Sequence, residues 1–120
     1  MISSEDILET IVSVRHIHVS NAVKQYAVDL VNRTRQHEDV YLGASPRGSL
    51  GLIRTGQASA AREGRGFVLP DDIKKVAIPV LAHRIIVGPA ARLRELTGDR
   101  IIQEIVESQP VPGGDFSSLS

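Results

Sequence analysis

The sequence predicts an all-α domain: a small bundle of four to five helices with a flexible C-terminal tail. Three observations predict it. Apolar residues recur at helical spacing in each long segment, and the breaks between segments carry Ser caps, Gly and Pro. The chain has 120 residues, 42% hydrophobic and 23% charged, which suits one globular domain and not a disordered chain. A domain of this length can bury about 65–70% of its unfolded surface, so a real core is available. With two Phe, two Tyr and no Trp, that core has to be aliphatic.

The first helix is expected from Ser3 or Ser4 to about Val14. Ser4 can cap it, Glu5 and Asp6 suit its first turn, and Ile7, Leu8 and Ile11 form one stripe. Residues 15–19 alternate polar and apolar and read as a short extended connection. Ser20 caps the next helix, where Val23, Tyr26, Ala27, Leu30, Val31 and Thr34 make the strongest periodic face in the chain. It should end near Arg35 or Gln36, with Arg33 and Arg35 complementing the C-terminal dipole. Residues 37–44 read as a loop.

Ser45-Pro46 starts a third helix, with Ser45 as cap and Pro46 at the first helical position, where a missing N–H does no harm. It should run to about Glu63 with Leu50, Ile53, Gln57, Ala60 and Ala61 facing inward. Its small residues, Gly51, Gly56, Ala58 and Ser59, permit close helix contacts. Gly64 can take the left-handed conformation that ends it. After the extended link Phe67-Val68-Leu69, Pro70, Asp71 and Asp72 open a fourth helix with the stripe Ile73, Val76, Ala77, Val80 and Leu81. Pro79 should kink that helix. Val87-Gly88-Pro89 breaks the pattern, and how the chain joins the last helix across 87–100 is not assigned. A last helix, about Gly98 to Glu107, shows Ile101, Ile102, Ile105 and Val106. The domain is thus expected over 1–108, with 109–120 a disordered Pro/Gly/Ser-rich tail.

Fourteen basic residues balance fourteen acidic ones, which argues against nucleic-acid and membrane-surface partners. Without Cys there is no disulfide framework, thiolate metal site or Cys nucleophile, as suits a reducing compartment. No apolar run approaches the roughly 20 residues that span a bilayer, and no signal peptide is read at the start, so a cytoplasmic location is expected. No Gly-Lys dipeptide occurs, so a phosphate-binding loop of the Walker type is excluded from these residues. His16 and His18 would point the same way from an extended segment, but no further ligands accompany them and no His-Glu-x-x-His occurs; no metal site is expected. No Gly-x-Ser-x-Gly turn supports a Ser nucleophile.

The segment Tyr41-Leu42-Gly43-Ala44-Ser45-Pro46-Arg47 remains. It leads a flexible Gly into a helix start, where free N–H groups and the dipole attract anions. A cation in a first turn is disfavoured by roughly 0.3–1 kcal/mol. Arg47 is therefore tolerated there more easily if it reaches a phosphate or carboxylate; from local pattern alone, solvent or a neighbouring acid serves as well.

Several stretches together resemble the C-terminal lid domain of MoxR-type AAA+ ATPases. They are Val19-Ser20 leading to Tyr26, Asp29-Leu30-Val31 and Thr34-Arg35; then Leu42 to Arg47; then Gly64-Arg65, Val68, Pro70 and Asp72-Ile73; then Val80-Leu81 and His83-Arg84. Order and spacing agree from about Glu5 to Ile86, and Pro110-Val111-Pro112 is also similar. The resemblance implies a helical lid that follows a nucleotide-binding domain in the same polypeptide, closes over ATP with Mg, and works in ring homo-oligomers. It implies chaperone-like action on other complexes, with a von Willebrand A-type domain as a possible partner. Gly43, Ser45, Pro46 and Arg47 would form the sensor 2 segment at the nucleotide. Arg47 would be the catalytic contact to the γ-phosphate, Gly43 would allow the loop, and Ser45 and Pro46 would shape the helix start. Arg65, Asp72, His83 and Arg84 read as mainly structural. Magnesium and water-activating groups are missing from these residues, so the chain is not catalytic alone. The competing reading is an independent helical protein- or DNA-interaction module, histone-fold-like, against which the zero net charge weighs.

Overall fold

The computed structural model describes residues 16–112, so the expected first helix and residues 113–120 lie outside the described residues. The described part is helical, as the sequence predicts. Helix α1 (Asn21–Gln36) is followed by strand β1 (Val40–Leu42), α2 (Arg47–Arg62), α3 (Pro70–Leu81) and a 3-10 turn (Ala82–Arg84). Strand β2 (Ile86–Val87), a short α4 (Pro89–Leu93) and α5 (Gly98–Ser108) complete it.

Helix α1 forms where its periodicity places it. The Ser20 hydroxyl accepts the Val23 N–H at 3.2 Å, and all six residues of the predicted face are buried. Two basic residues of its last turn find specific partners beyond the dipole. Arg33 donates to the Gln109 side chain at 3.1 Å and to the Ile105 carbonyl at 3.4 Å, tying α1 to the end of α5. Arg35 turns the other way, toward the segment before α2.

Helix α2 differs in phase from the expected stripe. Its buried residues are Gly48, Leu52, Gly56 and Ala60, whereas Leu50 is half exposed and Ile53, Gln57 and Ala61 are only partly covered. Two of the four buried positions are glycines, which carry no hydrophobic signal, so apolar periodicity settled on the flanking Leu and Ile. The glycines are there for proximity: a Cβ at Gly56 would sit 2.8 Å from Ile73 Cδ1. This lets α2 and α3 pack closely. At the far end Gly64 has φ +76°, the left-handed conformation that a Cβ disfavours.

Helix α3 opens as read, with Pro70 in the first turn and Asp72 accepting the Leu69 N–H at 2.7 Å. Ile73, Val76, Ala77 and Leu81 are buried, and Val80 is partly so. The helix passes through Pro79 and ends at Leu81, where the chain tightens into the 3-10 turn. Helix α5, capped by Thr97, buries its four predicted residues Ile101, Ile102, Ile105 and Val106. The core that results is aliphatic save for Tyr26.

Two features depart from a plain loop reading. Part of 37–44 is β1, which pairs antiparallel with β2 through Val40↔Val87 and Leu42↔Ile86, with an irregular register between them. Strands of three and two residues are too short to show a period. Within the unassigned stretch 87–100, Pro89 starts the five-residue α4, and Ala91 packs inward. No helix among the described residues is long and apolar enough to cross a membrane.

Candidate functional site

The segment carrying Gly43, Ser45, Pro46 and Arg47 joins β1 to α2 and lies against the last turn of α1. Ala44 is its fixed point, completely buried. The Ala44 N–H donates to Thr34 Oγ1 at 2.9 Å, and the same hydroxyl donates to the Val31 carbonyl at 2.6 Å. The Ala44 carbonyl accepts from Arg35 Nε at 2.9 Å. Both backbone polar groups of Ala44 are thus satisfied by two consecutive α1 side chains.

Gly43 is required by closeness. A Cβ there would lie 2.7 Å from the Cα, backbone nitrogen and Cγ of Arg35, a clash with backbone that no rotamer relieves. Gly48, buried in the first turn of α2, lies against Leu81 and Ala44.

The helix start differs from the expected cap. Ser45 is exposed, and its side chain caps nothing; Pro46 is itself in the helical region at φ −54° and ψ −24°. The physical reason is the backbone path. The Gly48 N–H is taken by the Ser45 carbonyl at 2.8 Å, and the Ser49 N–H faces the Pro46 carbonyl at 3.2 Å. With these donors occupied the helix end has less to offer an anion than its sequence suggests, so the ligand-binding capacity of this segment rests on the Arg47 side chain. Arg47 is exposed and makes no ion pair or side-chain hydrogen bond with any described residue.

Arg84, read as structural, is also exposed and has no such partner among the described residues. Its Nη2 lies 4.0 Å from where a Cβ of Gly51 would stand, on the α2 face one turn from Arg47. Arg65 and Asp72 are different. Asp72 is fully buried, and Arg65 grips it through Nη1 at 2.6 Å and Nη2 at 2.8 Å, with Ser59 adding a hydroxyl at 3.2 Å. Burial alone would push the Asp72 carboxyl up, but the Arg65 hydrogen bonds and charge, with the Leu69 N–H, hold it below the ordinary carboxylate range. This pair locks the α2–α3 connection to the start of α3 and is structural, as read. His83 is exposed on the 3-10 turn.

His16 and His18 are exposed, and no three His, Asp or Glu side chains gather among the described residues. A groove of about 590 Å³ runs between the entry to α1 and α2, lined by Ile17, His18, Lys24, Ile53 and Gln57; Arg47 has no part in it. Sequence reading missed Thr34 and Arg35 as site residues. By pattern Thr34 belongs to a core face and Arg35 to a helix C-terminus, and a bond between a side chain and a backbone group nine or ten residues away leaves no periodic mark.

Residues 32–105 match the model of the AAA lid domain family. The chain is 37% identical to the uncharacterized protein YeaC of Bacillus subtilis over 93% of its own length and 35% of YeaC. It is 30% identical to the chaperone MoxR1 of Mycobacterium tuberculosis, over 93% of its own length and 32% of MoxR1. The crystal structure of a candidate ATPase from Cytophaga hutchinsonii superposes with a TM-score of 0.86 at 30% identity, covering 91% of this chain and 36% of that one. The chain therefore spans about a third of the length of the relatives it matches. An all-α bundle with this order of motifs, matched over most of its length, belongs to the AAA lid domain family and is the lid region of the MoxR type.

Proposed function

We propose that this lid closes over ATP in a polypeptide that also carries a nucleotide-binding domain, and that Arg47 is the sensor 2 arginine reaching the γ-phosphate. The carrying observation is Arg47 itself, an exposed guanidinium without an anionic partner among the described residues, at the start of a helix whose approach is held from behind through both backbone groups of Ala44. A fixed guanidinium stabilises charge developing on phosphoryl oxygens, and it needs no reorganisation at the moment of reaction. Gly43, Ser45 and Pro46 would serve by shape, bringing the chain past Arg35 and into the helical turn that presents Arg47. Magnesium, when bound, neutralises phosphate charge; its ligands would come from the nucleotide-binding domain, since no donor cluster exists among the described residues of this one.

Because an Arg47 contact would exist only with nucleotide present, it would couple nucleotide state to the angle between lid and nucleotide-binding domain. In a ring homo-oligomer that change of angle would drive chaperone-like assembly or activation of partner complexes, with a von Willebrand A-type domain as one such partner. That MoxR1 is named a chaperone supports this reading.

The test is Arg47→Ala in the polypeptide containing lid and nucleotide-binding domain. ATP hydrolysis should fall by about 10²–10³-fold, the usual loss for one preorganised donor, while the lid keeps its helical signal and melting temperature. Wild-type turnover would overturn the assignment. Salt-dependent binding of duplex DNA by the 120-residue chain would favour an independent interaction module instead.

A further inference from the structure

We infer that Thr34 and Arg35 are positioning residues for Arg47: together they set the path of the loop that presents it. This deepens the proposed function and rests on it for the catalytic consequence, whereas the positioning itself can be tested without nucleotide.

Residue 44 can be held through only two backbone groups. Ala44 is completely buried, so its N–H and carbonyl have no solvent to turn to. Neither pairs with another strand or helix. The N–H goes to Thr34 Oγ1 at 2.9 Å and the carbonyl to Arg35 Nε at 2.9 Å. Thr34 is itself fully buried, and its hydroxyl is fixed by donating to the Val31 carbonyl at 2.6 Å, so the acceptor lone pair has a set direction. The Arg35 stem lies against Gly43, at 2.7 Å from where its Cβ would stand. The two side chains therefore close on the loop from α1, one on each polar group of the same residue, three positions before Arg47.

A core-filling role would not require this chemistry. A valine fills the Thr34 site equally well, and an exposed arginine is not needed for packing. What the hydroxyl and guanidinium add is direction. Gly48, the residue after Arg47, packs against Ala44 and Leu81, so the held point and the first turn of α2 move together. Arg35 uses Nε for this bond, and its two terminal nitrogens have no partner among the described residues.

Two measurements test the inference. The first follows amide hydrogen exchange in the 120-residue chain for Thr34→Val, Thr34→Ser and Arg35→Met. Thr34→Val and Arg35→Met should speed exchange at Ala44 to Gly48 by about tenfold or more, with α3 and α5 amides unchanged, and Thr34→Ser should keep the wild-type pattern. The second measures ATP hydrolysis in the polypeptide containing lid and nucleotide-binding domain, beside Arg47→Ala. Thr34→Val should lower kcat by about 10- to 100-fold with KM within about twofold, as a misplaced group does, and Thr34→Ser should restore it.

If Thr34→Val and Arg35→Met leave exchange at 44–48 unchanged, the inference is overturned. It is equally overturned if exchange rises throughout the domain in both variants, which marks a purely structural role, or if kcat holds while Arg47→Ala lowers it. Should Arg47→Ala itself leave turnover intact, the proposed function fails, and the positioning of the loop is decided by the exchange data alone.

Discussion

Burying a carboxylate costs several kcal/mol unless its charge and lone pairs are met, and Asp72 has no exposed surface at all. Three donors meet it: the Arg65 guanidinium, the Leu69 N–H and the Ser59 hydroxyl. Arg65 also reaches Glu63, which Lys75 contacts at 2.8 Å, so the buried pair continues into a surface network. The outer links are exposed and contribute little. The inner one is not. Arg65→Met keeps the stem but leaves Asp72 short of a counter-charge, and the domain should lose about 3–5 kcal/mol in urea unfolding. The sequence carries the hint in Gly64-Arg65 and Pro70-Asp72, but not the geometry, because the pair forms across a turn with no repeating pattern.

Among elements, α2 and α3 pack where glycine makes room. At Gly56 two effects oppose each other. Alanine would add up to about 1 kcal/mol of helix propensity. Its Cβ would press on Ile73 Cδ1 at 2.8 Å, and since Ile73 is fully buried any shift of that methyl disturbs its core neighbours; overpacking of that kind costs about 1–3 kcal/mol. Packing wins, so Gly56→Ala should lower the urea midpoint by the equivalent of about 1 kcal/mol. Gly66→Ala, with nothing within 4 Å, is the control and should change stability by no more than about 0.5 kcal/mol. The same contrast explains what could be read beforehand. Helices α1, α3 and α5 were legible because Leu, Ile and Val mark their buried faces. The phase of α2 was not, because Gly48 and Gly56 mark theirs by absence. In the candidate site, the Ser-Pro-Arg entry to a helix was legible. The Ser45 side chain makes no cap because backbone carbonyls take the first N–H groups of the turn, and Thr34 and Arg35 act across a gap in the chain that no local pattern spans.

For the whole molecule, two buried groups set opposite edges of the pH range. Asp72 titrates lower folded than unfolded, so its contribution is complete above the ordinary carboxylate value of about 4 and is lost as pH falls through the lower, folded value. Tyr26 acts at the other edge. Its hydroxyl is buried without a partner among the described residues, and burial, with the nearby Asp71 charge, pushes it up to about 12. Unfolded tyrosine ionises near 10, so stability should decline as pH rises from about 10 toward 12. Urea midpoints against pH should therefore form a plateau with a shoulder at each end. Tyr26→Phe should remove the alkaline shoulder, and Arg65→Met should flatten the acid one.

The double grip on Ala44 bears on how such a domain would answer a ligand. A loop that must be ordered at the moment of contact takes up part of the binding free energy in losing its own conformational freedom. Here that freedom is already gone when the chain folds, since both polar groups of the residue are committed to α1. A pull on Arg47 would then bear on α1 through Ala44, and α1 is tied in turn by Arg33 to the end of α5. The domain would respond as a stiff lever, turning as one body where a softer loop would merely bend.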